Sequence, residues 1–308
     1  MTKIALLSSD YDMSQIAPYI RQAAPELEVL MYGEPGADQA EVAACWNPPH
    51  GALAKMPNLK LIHAIAAGVD NILADPELPS LPVCRVVDPA HARGMGEFVT
   101  WSVLFYYRQL DLAMANQRKG VWFRPLQLEP KQCKIGIMGL GQIGSRVAKD
   151  LQRFGFPIRG WSRGEQTVEG VDVFVGNEQF QDFLSDCDIL ICLLPLTAET
   201  RGLLNAKTFS LLPKGAKLIH VGRGEQLVID DLCEALASGQ LGGAHVDVFE
   251  KEPLPPGSKL WKVPNLFVTP HMASVAQSET IGLQIAENIQ RLARAEPLVN
   301  LVDVGRGY

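Results

Sequence analysis

Six residues limit what this chain can fold into more than any others: Gly139-Leu140-Gly141-Gln142-Ile143-Gly144. An apolar run suited to a strand, Ile135–Met138, precedes them, and a helical pattern, Ser145–Phe154, follows. In that setting the first glycine permits a tight turn and the second lets backbone approach a pyrophosphate. The third lets the helix pack against the strand. The amino end of the helix then offers unpaired N–H groups and a positive dipole end to an anion. Gly139, Gly141, Gln142, Ile143 and Gly144 are therefore expected to contact a dinucleotide.

The rest of the chain repeats the same construction. Short β-rich runs at Lys3–Leu7, Val29–Met31, Val42–Cys45, Leu59–Ile65 and Val83–Val87 form one series, with a helix expected over Met13–Ala23. A long helix is expected over Gly94–Leu110, followed by a polar connector, Asn116–Gln132. A second series then runs through Cys133–Met138, Pro157–Trp161, Val171–Val175, Asp188–Leu194, Lys217–Val221, Ala244–Phe249 and Leu266–Val268. Strands alternating with helices predict parallel sheets, and continuous apolar strands predict sheets covered on both faces. Two such series in 308 residues predict two α/β domains. A last helix, about Val275–Arg294, fits either domain by periodicity.

Composition narrows the class. A formal charge of -6 argues against nucleic acid as a partner. The longest apolar runs, such as Asp188–Leu194, are too short to span a bilayer, so no membrane partner is expected. The first residues run straight into a strand pattern without a signal-peptide cleavage region. Cys45, Cys84, Cys133, Cys187, Cys192 and Cys233 are scattered, which reads as buried thiols of a cytoplasmic protein and not as disulfides or metal ligands.

Cofactor choice turns on the end of the second cofactor strand, about 20 residues beyond the glycines, where an acid would hold the ribose 2′-hydroxyl of NAD. This sequence has Trp161-Ser162-Arg163 there. Ser162 and Arg163 suit a 2′-phosphate, so NADPH is the expected cofactor. Glu165 is the nearby acid that would favour the alternative, NADH.

Ligands of open α/β sheets sit beyond the carboxyl ends of the strands. Arg223 follows one strand in VGRGE, Glu252 another in DVFEKEPLP, and His271 a third in TPHMAS. Each alone is weak evidence. Together they place a guanidinium, a carboxylate and an imidazole at three successive strand ends. That set suits hydride transfer to a keto acid, which needs a cation for the carboxylate and carbonyl and a proton donor for the developing alkoxide. A carboxylate beside the imidazole stabilises its protonated form and fixes which nitrogen faces the substrate.

The glycine loop, LLPLTAETRGLLN, VGRGE, DVFEKEPLP and TPHMAS, in that order, resemble the D-2-hydroxyacid dehydrogenase family. WNPP at Trp46–Pro49, AAGVD at Ala66–Asp70, GFPIRGWSR and the carboxyl-terminal RGY are similar to its glyoxylate/hydroxypyruvate reductase A branch. The resemblance implies an α/β fold of two doubly wound parallel-sheet domains with a cleft between. One is a flavodoxin-like substrate domain, discontinuous over 1–94 and 276–308. The other is a Rossmann cofactor domain over 95–275. It implies that Arg223 binds the substrate carbonyl and carboxylate and that His271 is the general acid. Glu252, not Glu250, would orient His271.

Further cofactor contacts are implied at Leu194, Pro195, Thr200, Val221, Gly222 and Asp247. Backbone N–H groups of Gly68 and Val69 would receive the substrate carboxylate, with Trp46 walling the pocket. A homodimer through the cofactor domain is implied as well, with Trp101–Trp122 as the candidate contact. His220 and His245 stand where the family commonly has Asn and an aliphatic residue. The function expected is NADPH-dependent reduction of glyoxylate to glycolate and of hydroxypyruvate to D-glycerate. Its rivals are a dehydrogenase of another 2-keto acid, such as phenylpyruvate, with NAD(H), and a non-catalytic dinucleotide sensor resembling a corepressor.

Overall fold

The computed structural model describes residues 2–305 and 307. Arg306 and Tyr308 of the RGY motif lie outside the described residues. The chain divides into two compact units, Met1–His91 with Val275–Tyr308, and Ala92–Ser274.

In the first unit, β1 (Lys3–Ser8) leads to α1 (Ala17–Ala23), β2 (Glu28–Met31), β3 (Val42–Trp46), β4 (Leu61–Ala64), the short α2 (Asp70–Leu73) and β5 (Val83–Cys84). The five strands pair in the order β2-β1-β3-β4-β5 and all run parallel, the flavodoxin-like order. Apolar clusters cover both faces of the sheet, which is why β1 and β3 carry unbroken runs such as Ile4–Leu7 and Val42–Cys45.

In the second unit, α3 (Pro89–Tyr107, whose first turn belongs to the first unit) and α4 (Leu110–Arg118) precede the sheet. The elements β6 (Ile135–Met138), α5 (Gln142–Gln152), β7 (Ile158–Ser162), β8 (Val171–Val175), α6 (Phe180–Leu184) and β9 (Ile189–Cys192) follow. Then come α7 (Ala206–Ser210), β10 (Ala216–His220), α8 (Ile229–Ser238), β11 (Leu241–Val246) and β12 (Leu266–Val268). Seven parallel strands lie in the order β12-β11-β10-β9-β6-β7-β8. The order reverses between β6 and β9, and such a switch point is where a doubly wound sheet opens a ligand crevice.

The last helix, α9 (Ser278–Ala293), packs on α1, burying Ile281, Ile285 and Ile289 among Ile4, Ile16 and Ile20. A Cβ on Gly282 would lie 2.6 Å from Cβ of Tyr19, so this close crossing needs a glycine.

Several elements depart from the sequence expectation for identifiable reasons. β5 stops at Cys84 because its outer edge is taken by the tail, with Arg85 donating to Asn300 O and Val302 to Val83 O. Such cover blunts an exposed sheet edge. β11 begins at Leu241, ahead of the expected Ala244. Gly242 and Gly243 admit Gly215 O and the Tyr106 ring at distances where a Cβ would stand 2.5 and 3.0 Å away. α4 was not foreseen; it buries no residue, so no inward apolar stripe announces it.

Among the described residues no helix is long and apolar enough to cross a membrane, and no group of three His, Cys, Asp or Glu could hold a metal ion. Five of the six free cysteines are buried and Cys233 is half-buried.

His63, His220 and His245 are buried, and burial pushes each ring down to about 4. Unfolded histidines protonate near pH 6.5. Between pH 6.5 and 4 the unfolded chain therefore binds more protons than the folded one, and stability falls as pH falls. Each ring is expected to cost roughly 2 kcal/mol at pH 5. The urea midpoint should drop between pH 7 and pH 5; a flat midpoint would mean that these rings titrate in the folded chain.

Candidate active site

The glycine turn follows β6. Gly139 is left-handed at φ 97°, and a Cβ on Gly144 would meet Gly139 O at 1.9 Å. No alanine fits there without parting helix from strand. Gly141, by contrast, has nothing within 4 Å of a would-be Cβ, so open space lies over the backbone where an anion would approach. Gly141 is also the N-cap of α5, with no side chain capping the helix and no acid in its first turn. Gln142 and Ile143 thus open a helix whose free N–H groups suit a pyrophosphate.

At the end of β7, no carboxylate stands at the position that would hold a ribose 2′-hydroxyl. Ser162 is buried and donates its hydroxyl hydrogen to Gly164 O at 2.7 Å, tying down the turn that carries Arg163. Arg163 is exposed, and so is Glu165. In the segment that follows β9, the Thr197 side chain and, more weakly, the Arg163 charge help hold Glu199 below the ordinary glutamate value.

That segment contains Leu194, Pro195 and Thr200. Thr200 donates to Pro195 O at 2.8 Å and accepts from the Thr197 amide at 2.8 Å, locking the turn. Gln226, which sequence reasoning missed, ties it to the next strand end. This buried side chain donates to Leu194 O at 3.1 Å and Pro195 O at 3.0 Å and accepts from the Arg223 amide at 2.8 Å. The only signal available was a glutamine three residues after Arg223, and the two carbonyls it reaches lie more than thirty positions away. Val221 and Gly222 are buried beside it.

Arg223, Glu252 and His271 follow β10, β11 and β12, which are neighbours in the sheet. His271 Nδ1 lies 2.7 Å from Glu252 Oε2, and Glu252 Oε1 accepts from the Phe249 amide at 2.8 Å. Both carboxylate oxygens are thereby aimed. Nδ1–H of the ring is committed to Glu252, which leaves Nε2 as the nitrogen for a ligand. Burial pulls the Glu252 carboxyl upward. The His271 and Phe249 hydrogen bonds and the charges of His271 and Arg223 outweigh it, holding the group below the ordinary glutamate value.

A Cβ on Gly224 would lie 1.9 Å from the Phe249 carbonyl carbon. The Arg223 turn therefore lies flush on the backbone that leads to Glu252. Arg223 is half-buried and its Nη1 donates to Gly222 O at 2.9 Å. Its own carbonyl accepts from Nε2 of His220 at 2.8 Å.

His271 has φ 51°, a conformation uncommon outside glycine, and the loop that carries it is held by Asp247. This fully buried carboxylate accepts from Thr269 Oγ1 at 2.6 Å and from the Met272 and Ala273 amides at 3.0 Å. Asp247, expected at the cofactor, thus also anchors the loop that carries His271. Trp46 ends β3, and Gly68 and Val69 follow β4, in the unit that does not carry the trio.

Residues 100–273 match the model of the D-isomer specific 2-hydroxyacid dehydrogenase family, NAD binding domain. This chain belongs to that family. Among solved structures, a D-isomer specific 2-hydroxyacid dehydrogenase family protein from Klebsiella pneumoniae 342 is 45% identical, with 99% of this chain and 98% of that one covered at TM-score 0.94. A D-isomer specific 2-hydroxyacid dehydrogenase from Xanthobacter autotrophicus Py2, in complex with NADPH and MES, is 40% identical over 100% and 99% at TM-score 0.93. An NADPH-dependent glyoxylate/hydroxypyruvate reductase from Sinorhizobium meliloti, in complex with NADP and sulfate, is 33% identical over 100% of both chains at TM-score 0.92. In this dehydrogenase, then, the glycine turn and the three charged groups lie along the carboxyl edge of the sheet of one NAD-binding-type domain.

Proposed function

We propose that this dehydrogenase reduces small 2-keto acids with NADPH, taking glyoxylate to glycolate and hydroxypyruvate to D-glycerate. The observation that carries the reading is the Glu252–His271 pair at 2.7 Å, set at strand ends beside that of Arg223. The open backbone over Gly141 and the uncapped α5 fit the pyrophosphate, and the absence of an acid at the end of β7 fits a 2′-phosphate paired with Arg163. Two similar dehydrogenases carry NADPH or NADP.

When bound, NADPH supplies the hydride. Arg223 holds the substrate carboxylate and carbonyl in its planar fork and draws charge toward the oxygen. Protonated His271, aimed through Nδ1 by Glu252, gives the Nε2 proton to that oxygen as the carbon is reduced. Glu252 stays ionised and offsets the imidazolium charge. Gly68 and Val69 N–H groups are proposed donors to the carboxylate, with Trp46 as a pocket wall.

Initial rates with glyoxylate, hydroxypyruvate and phenylpyruvate, each with NADPH and NADH, test the reading. The two small acids with NADPH should give the highest kcat/KM. Preference for phenylpyruvate with NADH would favour the other dehydrogenase, and tight NADPH binding with no turnover would favour a sensor. Arg163→Asp should lower the NADPH-to-NADH ratio of kcat/KM by about a hundredfold, the effect of two lost charge-assisted contacts. An unchanged ratio would make Arg163 a bystander.

A homodimer through α3 and α4 belongs to the same proposal. Trp101, Leu110, Leu112, Met114, Trp122 and Phe123 are exposed, Trp122 completely, and so large an apolar stretch needs cover. Trp122→Glu should shift the sedimentation mass from two chains to one; a monomeric parent would refute the assembly. A cytoplasmic setting is proposed on the six free thiols.

A further inference from the structure

A chain of hydrogen bonds reaches the catalytic loop from α3. Ser102 Oγ lies 2.8 Å from His245 Nδ1, His245 Nε2 lies 3.0 Å from Thr269 Oγ1, and Thr269 Oγ1 lies 2.6 Å from Asp247 Oδ1. Every member is buried. Counting hydrogens gives the chain a direction. A carboxylate only accepts, so the single hydroxyl hydrogen of Thr269 goes to Asp247. Thr269 then accepts from His245, whose proton is on Nε2. Burial disfavours the charged ring, so Nδ1 is left as an acceptor facing Ser102, whose one hydroxyl hydrogen is shared between Nδ1 at 2.8 Å and Phe98 O at 2.9 Å.

We infer that His245 is a positioning residue for His271. By donating to Thr269 it fixes the hydroxyl that aims Asp247, and Asp247 holds the two amides that follow the left-handed His271. The inference rests on the role proposed above for His271. Packing alone does not account for a histidine here. Its ring sits among Phe98, Phe267 and Trp101, at centroid distances of 5.0, 4.8 and 5.9 Å. Leucine would fill that apolar box and leave Thr269 without its donor.

His245→Leu therefore separates filling from positioning. Hydrogen exchange at the Met272 and Ala273 amides should quicken about tenfold. The kcat for glyoxylate should fall about tenfold with KM for NADPH unchanged, as outer-shell partners of a site commonly show. His245→Gln, whose amide can both donate and accept, should recover most of both losses. Thr269→Val, similar in shape, should reproduce the leucine result if His245→Leu does not fold. Unchanged exchange and kcat, with only the melting temperature lowered, would overturn the inference. A parent chain inactive toward glyoxylate would instead sink the proposed function, and the exchange measurement would still decide the part played by His245.

Discussion

Replacing His271 with alanine is expected to lower kcat for glyoxylate reduction about a thousandfold, within the range for losing a positioned general acid. The loss should fall on kcat because the proton is needed only as the alkoxide forms, when the oxygen becomes basic. The affinity for NADPH, read by fluorescence titration, should change little, since the ring is bonded to Glu252 beyond β11 while the glycine turn follows β6. The backbone argues the same way: His271 is held by its own amide to Asp247 O at 2.8 Å, and alanine keeps that bond. Glu252 would lose the Oε2 partner while keeping the Phe249 amide on Oε1. Near-normal kcat would mean that another group supplies the proton.

Arg223→Ala should do more damage, lowering kcat/KM about ten-thousandfold by losing a doubly hydrogen-bonded charge in both the bound and the transition state. Here KM rises as well as kcat falling, because the guanidinium acts before the hydride moves as well as during its transfer. Arg223→Lys should recover only part of the loss: the ammonium restores charge without the planar fork. The Arg223 amide would still donate to Gln226 in either variant, so the turn should survive and the melting temperature should stay close to the parent. Lowered kcat with unchanged KM would mean that Arg223 meets the transition state alone. Full activity in the alanine variant would remove it from the site.

The glycine turn was legible because its chemistry is local. Three glycines between a strand and a helix have steric reasons that six residues carry by themselves, and the structure shows those reasons at Gly139 and Gly144. The trio was legible for a different cause: strand ends in a parallel sheet face one edge, so residues far apart in sequence share it. What escaped depends on contacts no local pattern encodes. Gln226 works through carbonyls thirty-one and thirty-two positions back. The loop-anchoring part of Asp247 escaped too, because it accepts from amides twenty-five and twenty-six positions on. α4 was missed because its apolar side chains face outward and buried contacts are what print a helical period. The place of α9 hung on Gly282 meeting Tyr19, a fit between two surfaces.

Product analysis after reaction of hydroxypyruvate with NADPH deuterated at the transferred position of nicotinamide C4 tests the central claim most directly. The account predicts D-glycerate with one deuterium on C2, formed by the parent and nearly absent with His271→Ala. L-glycerate, product without deuterium, or equal yield from the variant would contradict it.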